Sequence, residues 1–207
     1  MFCYLIGYRD RISPYFFNAG LLSTGPVLAT LATAYAATIT AHFSADQYDV
    51  IFGPAYKGIP LAACTALVLH TTHSIPVGFA YDRKEVKDHG EGGRMVGVSV
   101  KGKRVLILDD VMTAGTAVRA AIDLVRSEGG QVVGVVQCLD REEVGKDGTS
   151  VASSTVHDVE GIVGPGNVCS ILKMRDLIAW LEAQGGMEDH LKDMREYRKQ
   201  YGVRIAS

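Results

Sequence analysis

A chain of 207 residues, 47% hydrophobic and 21% charged, is long enough to bury a substantial core and too mixed in composition to be fibrous or unfolded. Its formal net charge of −2 argues against a broad nucleic-acid-binding face, so any anion site must be built locally. The four cysteines, Cys3, Cys64, Cys138 and Cys169, form no CxxC pair and are expected to be reduced thiols of a cytoplasmic protein.

Residues 12–45 contain no Asp, Glu, Lys or Arg, which raises the question of a membrane span. Pro14, Asn18, Gly20, Gly25 and Pro26 interrupt the first half, and the second half is rich in alanine and threonine. Leu28, Leu31, Tyr35 and Ile39 recur at helical spacing there. A spanning helix needs about 20 strongly apolar residues, so the expectation is a packed helix and no membrane. The opening residues also lack the basic-then-apolar order of a secretory signal.

"YDVIF" (residues 48–52) then reads as a short buried strand, "GPAYKG" (53–58) as a turn and residues 59–70 as a helix. "PVGFAYD" (76–82) reads as a second strand, followed by a charged, glycine-rich stretch over 83–97. "RVLIL" (104–108) is apolar throughout, as a parallel strand covered on both faces must be. Residues 116–128 predict a helix whose Val118, Ala121, Ile122 and Val125 form one apolar stripe, stopped by Gly129 and Gly130. "QVVGVVQCL" (131–139) is a fourth strand, and residues 141–167 read as an irregular excursion or hairpin. "VCSIL" (168–172) suggests a last strand, residues 174–184 an amphipathic helix, and 187–202 a solvated, charged helix. Alternating strands and helices imply βαβ units, hence an α/β, doubly wound, mainly parallel sheet in one domain.

Two glycine-rich stretches come close to nucleotide motifs and fail. In "GVSVKGKR" (97–104) Arg104 stands where a P-loop needs Ser or Thr, and the match precedes a strand instead of following one. In "GEGGRMVG" (90–97) Met95 occupies the last glycine position of a dinucleotide fingerprint. His70 and His73, three apart at a helix end, gain no carboxylate or cysteine at ligand spacing and read as exposed or capping histidines.

The informative stretch is "VLILDDVMTAGTAVR" (105–119). Two adjacent carboxylates, Asp109 and Asp110, stand where a buried strand ends, and ligands of open α/β sheets bind beyond such ends. "TAGT" (113–116) then runs into a helix N-terminus, where small residues let backbone N–H groups converge on an anion. A carboxylate pair suits sugar hydroxyls or magnesium. Together they describe a ribose carrying a terminal phosphate. The plainer alternative, a strand terminus followed by a helix cap, accounts for one acid but not for two.

Residues 109–117, "DDVMTAGTA", resemble the phosphoribosyl-pyrophosphate (PRPP) motif of type I phosphoribosyltransferases. "SPYFFNAG" (13–20), "FGPAYKGIPLA" (52–62), "DRKEVKDHGEGG" (82–93) and "LDR" (139–141) are similar, in the same order, to the orotate phosphoribosyltransferases. The resemblance implies a glycosyltransferase of pyrimidine (UMP) biosynthesis that joins orotate to PRPP with Mg2+, giving orotidine monophosphate and pyrophosphate. It implies ribose contacts from Asp109 and Asp110, and a PRPP cradle formed by Val111, Met112, Thr113, Ala114, Gly115, Thr116 and Ala117. It places Tyr56 and Lys57 against pyrophosphate, and Arg83, Lys84, Lys87 and His89 on a basic lid freed by Gly90, Gly92 and Gly93. Lys87, His89, Asp109 and Asp110 are the expected catalytic residues. Phe16, Phe17 and Thr113 are expected at the base, with Arg141 on the orotate carboxylate. The metal is expected to be held mainly through PRPP, and the active sites to be shared across a homodimer.

The resemblance weakens ahead of residue 13. "FCYLIGYRDR" (2–11) bears little likeness to the family's opening segment, and no lysine precedes Lys57, so a small N-terminal hood over about residues 1–45 is expected to be shortened. Arg9 or Arg11 would stand in for the missing lysine, with a planar fork instead of a compact ammonium. Two rival functions remain at this stage: transfer to a different base, which Arg141 argues against, and a non-catalytic PRPP sensor acting on nucleic acid, which the net charge argues against.

Overall fold

The structure is a computed structural model that describes residues 5–6, 12–87, 93–144 and 154–203. The first strands, β1 (Leu5–Ile6) and β2 (Ile12–Ser13), pair antiparallel in a small separate sheet. Helix α1 (Gly25–His42) follows, then β3 (Val50–Gly53), α2 (Gly58–His73), β4 (Gly78–Lys87) and β5 (Gly93–Gly97). The second half runs β6 (Arg104–Val111), α3 (Thr116–Ser127), β7 (Gln131–Asp140), α4 (Thr155–Val163), β8 (Val168–Lys173), α5 (Met174–Gln184) and α6 (Glu188–Tyr201). The main sheet has the order β5-β4-β3-β6-β7-β8; β5 is antiparallel to β4 and the other pairings are parallel.

The apolar run of β6 shows why both faces are covered. Successive side chains of a strand point to opposite faces, and this one alternates between two cores. Val105 and Ile107 join a cluster with Val118, Ile122 and Val125 of α3 and Val159 of α4. Leu106 and Leu108 join Tyr35 and Ile39 of α1 with Leu61 and Leu69 of α2. A single polar residue on either face of β6 would lack a partner there, so the run has no alternation in its chemistry, only in its neighbours.

The strand order reverses direction at β3. From β3 the chain steps to β4 on one side, and later returns to place β6 on the other. Ligands of open α/β sheets bind at such a switch point, beyond the carboxyl ends of the diverging strands. The ends of β3 and β6 are where residues 53–58 and Asp109–Asp110 emerge. The fold therefore brings the two most suggestive segments of the sequence to one place.

Three expectations need correction. The strand expected over 76–82 runs on to Lys87, and with β5 it makes a hairpin whose tip, residues 88–92, lies outside the described residues. The stretch 141–167, expected to be irregular, contains α4, started by Ser154 accepting a hydrogen bond from the His157 N–H. The helix is short: Val159 is buried, and Val156, Ile162 and Val163 pack half-buried against the same core. The C-terminal helix is not wholly solvated either: Met194 and Tyr197 of α6 are buried with Tyr15 and with Met174, Ile178 and Leu181 of α5 in a third cluster. Of the stretch expected to form the hood, about residues 1–45, residues 5–6 and 12–45 are described, α1 among them.

Candidate functional site

Asp109 is buried at the end of β6 and Asp110 is half-buried beside it. Adjacent like charges are destabilising unless something offsets them, and two contacts and a shift in protonation do so. The Asp109 Oδ1 accepts the Asp110 N–H at 2.9 Å. Lys57 reaches across from the turn after β3 and its Nζ meets Asp110 Oδ2 at 2.9 Å. Asp109 itself is pushed up to about 7, first by burial and then by the Asp110 charge, so near neutrality it carries a proton much of the time. Two acids thus stand side by side because one is paired and the other is partly neutral.

The turn that follows is shaped by glycine. Gly115 caps α3 with φ +69°, a left-handed backbone that side chains disfavour, and a Cβ there would lie 2.9 Å from the Thr155 Cγ2. No side chain caps this helix and its first turn holds no acid, so the amides at its start keep their donors available to a ligand. Thr113, Thr116 and Ala117 are exposed, and Ala114 is half-buried. Thr155 of α4 holds the turn from behind, its hydroxyl donating to the Thr113 carbonyl at 2.8 Å. Met112 points the other way: it belongs to the core with α3 and α4, and its N–H donates to Gln137 Oε1 at 3.1 Å.

The turn after β3 is equally compact. A Cβ on Gly53 would fall 2.2 Å from the Gly58 carbonyl oxygen, and one on Gly58 would meet Pro54 Cδ at 2.7 Å and the Leu108 oxygen at 3.0 Å. Only glycine lets this loop fold back against the end of β6. Its Ala55–Tyr56 peptide is cis. The Ala55 N–H donates to the buried Asp82 Oδ1 at 2.5 Å, tying the loop to β4. Tyr56 and Lys57 project outward, Tyr56 with 71% of its surface exposed.

On the other side of β6, Arg141 leaves the end of β7 and is held by one near partner, Glu143, and one remote partner, Tyr15. Its Nε donates to Glu143 Oε1 at 2.8 Å and to the Tyr15 hydroxyl at 2.9 Å, and its Nη2 lies 2.7 Å from the same Glu143 oxygen. Phe17 packs half-buried against the α1–α2 core, whereas Phe16 is 51% exposed.

Comparison with known proteins follows this geometry. Residues 22–166 match the model of the phosphoribosyl transferase domain. The orotate phosphoribosyltransferase of Thioalkalivibrio sulfidiphilus is 49% identical over 93% of this chain and 87% of its own length. That of Pseudoalteromonas translucida is 47% identical over 93% and 86%. The crystal structure of the Francisella tularensis orotate phosphoribosyltransferase superposes with a TM-score of 0.81 at 36% identity, covering 98% of this chain and 94% of that one. The chain belongs to the orotate phosphoribosyltransferase family.

Family membership accounts for the segments that the sequence brought forward. The structure gathers Lys57, Asp109, Asp110 and the turn 113–117 at the switch point. Arg83 and Lys84 lie on β4, in the stem of the hairpin beside this edge, Lys84 exposed. Lys87 closes that stem by pairing with Gly93, but its side chain and the whole of His89 lie outside the described residues. Val111 is the last residue of β6.

The sequence reading missed the residues that hold the site from behind. Tyr35 of α1 donates its hydroxyl to the Asp109 carbonyl at 2.7 Å. Gln137, 1% exposed, links the Met112 N–H to the Ser170 hydroxyl, its Nε2 donating at 3.1 Å. Asp82 fixes the loop after β3, and Tyr15 and Glu143 fix Arg141. Gln137 had a signal, an amide inside an otherwise apolar strand, since such a group is buried only with partners. Tyr35 had none beyond being polar in an Ala/Thr-rich helix.

Proposed function

We propose that this chain is an orotate phosphoribosyltransferase, a pentosyltransferase of pyrimidine biosynthesis that joins orotate to PRPP. The observation that carries the reading is the acid pair at the end of β6, running into a helix opened by Gly115 and faced by Lys57. In the reaction a ring nitrogen of orotate bonds to C1 of the ribose as the bond from C1 to the pyrophosphate oxygen breaks. The ribosyl centre gains positive character while a highly charged group departs. The site must therefore stabilise both charges and keep water out.

Each part has a place. The amides and hydroxyls of residues 113–117 hold the 5′-phosphate, and Asp109 and Asp110 take the ribose hydroxyls. Binding the diol favours the ionised form of Asp109, so the proton that burial retains there is released on loading. Lys57 then exchanges its internal partner, Asp110, for pyrophosphate. Arg83, Lys84, Lys87 and His89 close over the leaving group as a lid that excludes water. Arg141 selects the base through its carboxylate, with Phe16, Phe17 and Thr113 beside the ring.

Mg2+ is the implied cofactor, and the residues fit it. Among the described residues no group of three or more His, Cys, Asp or Glu side chains forms a metal cage. Two carboxylates next to a phosphate cradle instead suit a small cation that keeps most of its ligands from substrate and water. Asp109 and Asp110 would supply part of its shell, and the ion would contribute charge neutralisation for the pyrophosphate.

A homodimer with shared sites is supported by α1 and α2. These helices pack together and carry no Asp, Glu, Lys or Arg, yet Val27 and Leu67 are exposed, Leu67 by 63%. Charge-free helices of this length are ordinarily covered. No helix among the described residues is long and apolar enough to cross a membrane; the cover that fits the proposed shared site is a second copy of this chain. Cys64, Cys138 and Cys169 are free thiols, which suits a cytoplasmic location.

The test is loss of orotate absorbance with PRPP and Mg2+. Turnover that needs both is expected. A folded, metal-saturated protein that leaves orotate unchanged while transferring to adenine or hypoxanthine would overturn the substrate assignment.

A further inference from the structure

The loop after β7 carries an acid that the reaction above does not use. Arg141 grips Glu143 by one side of its guanidinium, Nε and Nη2 both meeting Oε1 at 2.8 and 2.7 Å. The Tyr15 hydroxyl closes the triangle: it accepts from Arg141 Nε at 2.9 Å and donates to Glu143 Oε1 at 2.9 Å. Its ring lies against the guanidinium, 4.9 Å from centroid to Cζ. Burial, reinforced by the Glu143 charge, raises the Tyr15 hydroxyl far above its usual range, so it stays protonated and remains a donor.

A guanidinium presents its five N–H donors in a fixed plane. Anchoring the Nε side therefore decides where the Nη1 side points. Nη2 reaches Ser13 Oγ only at 3.4 Å, and no acceptor among the described residues meets Nη1. The backbone that carries the triangle is pinned as well. Val203 N–H donates to the Glu142 carbonyl and Val144 N–H to the Tyr201 carbonyl, at 2.8 and 2.9 Å. The buried Glu142 carboxylate is held by Arg175 and Arg198.

We propose that Glu143 and Tyr15 are positioning residues for Arg141: they fix one edge of its guanidinium so that the Nη1 edge meets the carboxylate of the incoming base. This rests on the proposed function, in which Arg141 receives that carboxylate. The arrangement also makes the pocket selective. Arg141 and Glu143 are neutral as a pair, so a base without a carboxylate gains little from them, while a carboxylate on the open edge finds a fork already oriented. An arginine ordered in advance loses less side-chain freedom on binding.

Steady-state kinetics on the full chain separate the roles. Glu143→Ala, and Glu143→Asp, which keeps the charge but shortens the reach, are expected to raise the KM for orotate roughly tenfold to a hundredfold. The KM for PRPP and the kcat at saturating orotate should stay within about twofold, since only the base contact moves. Glu143→Gln keeps an acceptor for Nε and Nη2 and is expected to restore most of the loss; Tyr15→Phe should give a smaller rise of the same kind. An unchanged orotate KM in Glu143→Ala, equal rises for both substrates, or a glutamine variant no better than alanine would each overturn the proposal. If the alanine variant does not fold, the aspartate and Tyr15→Phe variants give the same readout. Arg141→Ala keeps the two claims apart. If it leaves orotate binding intact, the base-site reading itself falls. If it abolishes orotate binding while Glu143→Ala is silent, only the positioning role falls.

Discussion

The turn that leaves β6 and the loop that leaves β7 start from neighbouring parallel strands and are assembled by different means. The first is local. Its acids, its glycine cap and the uncapped amides that open α3 fall within residues 109–117, and remote groups such as Tyr35, Thr155 and Gln137 only brace it. The second depends on remote groups for its shape: Arg141 takes its orientation from Tyr15, 126 positions away, together with the nearby Glu143, and its loop is pinned by the residues that end α6. On the function proposed above, the local part takes the sugar phosphate and the remote part takes the substituent that distinguishes one base from another. Damage to the first should therefore stop the chemistry, and damage to the second should change what is accepted.

The largest effect is expected from the local turn. Replacing Asp109 and Asp110 together by asparagine should lower kcat by roughly a hundredfold or more, because the ribose hydroxyls keep only weaker, neutral amide acceptors and the developing positive charge loses both carboxylates. Circular dichroism should show an intact fold, and turnover within a few-fold of the native chain would break the comparison at its first term.

Next is the lid. Lys87→Ala and His89→Ala should each reduce turnover strongly without loss of fold. Mixed with the Asp109/Asp110 variant, either should recover roughly a quarter of native activity, because half of randomly paired dimers then hold one complete site. No recovery on mixing would place lid and acids on the same subunit.

Arg141→Ala should act on selectivity more than on rate. Orotate KM is expected to rise about a hundredfold or more while PRPP KM changes little, the loss of a charge-assisted carboxylate contact. Equal loss of both substrates would mean that the loop after β7 supports the whole site and not the base alone.

The smallest effect is on stability and belongs to Asp109. Its carboxyl rises from the usual 3.8 to about 7 in the fold. A raised carboxyl favours the folded state when protonated, so the contribution is full below about pH 4 and is lost as pH climbs through about 7. Asp109→Asn should flatten that part of the ligand-free stability profile, by on the order of 2–4 kcal/mol between the two ends. A variant whose denaturation midpoint falls with pH as steeply as the native chain's would show that Asp109 is ionised throughout.

The same contrast governs what could be read before the structure. β6 and α3 were legible because an unbroken apolar run and a 3.6-residue stripe report burial directly, and the acid pair was legible because its cost demands a ligand or a partner. α4 was hard to read: its stripe of Val156, Val159, Ile162 and Val163 spans only nine residues, buries Val159 alone in full, and follows a polar, glycine- and serine-rich stretch. The buried face of α6 was obscured by its charges, since Met194 and Tyr197 are its only buried residues. The strand extension to Lys87 escaped notice because an edge hairpin can be charged on both faces and needs no apolar alternation. Arg141 was recognised through the resemblance of "LDR"; nothing in its neighbourhood names Tyr15 as its partner. Glu143 was adjacent all along, yet a charged loop of this kind is ordinarily solvated, and only the fold shows it turned inward.

A crystal structure with PRPP and Mg2+ tests the central claim most directly. The account predicts the 5′-phosphate within hydrogen-bonding distance of the amides of residues 113–117, the ribose hydroxyls on Asp109 and Asp110, and Lys57 moved from Asp110 to pyrophosphate. Density for PRPP elsewhere, with the turn after β6 open and Lys57 still on Asp110, would contradict it.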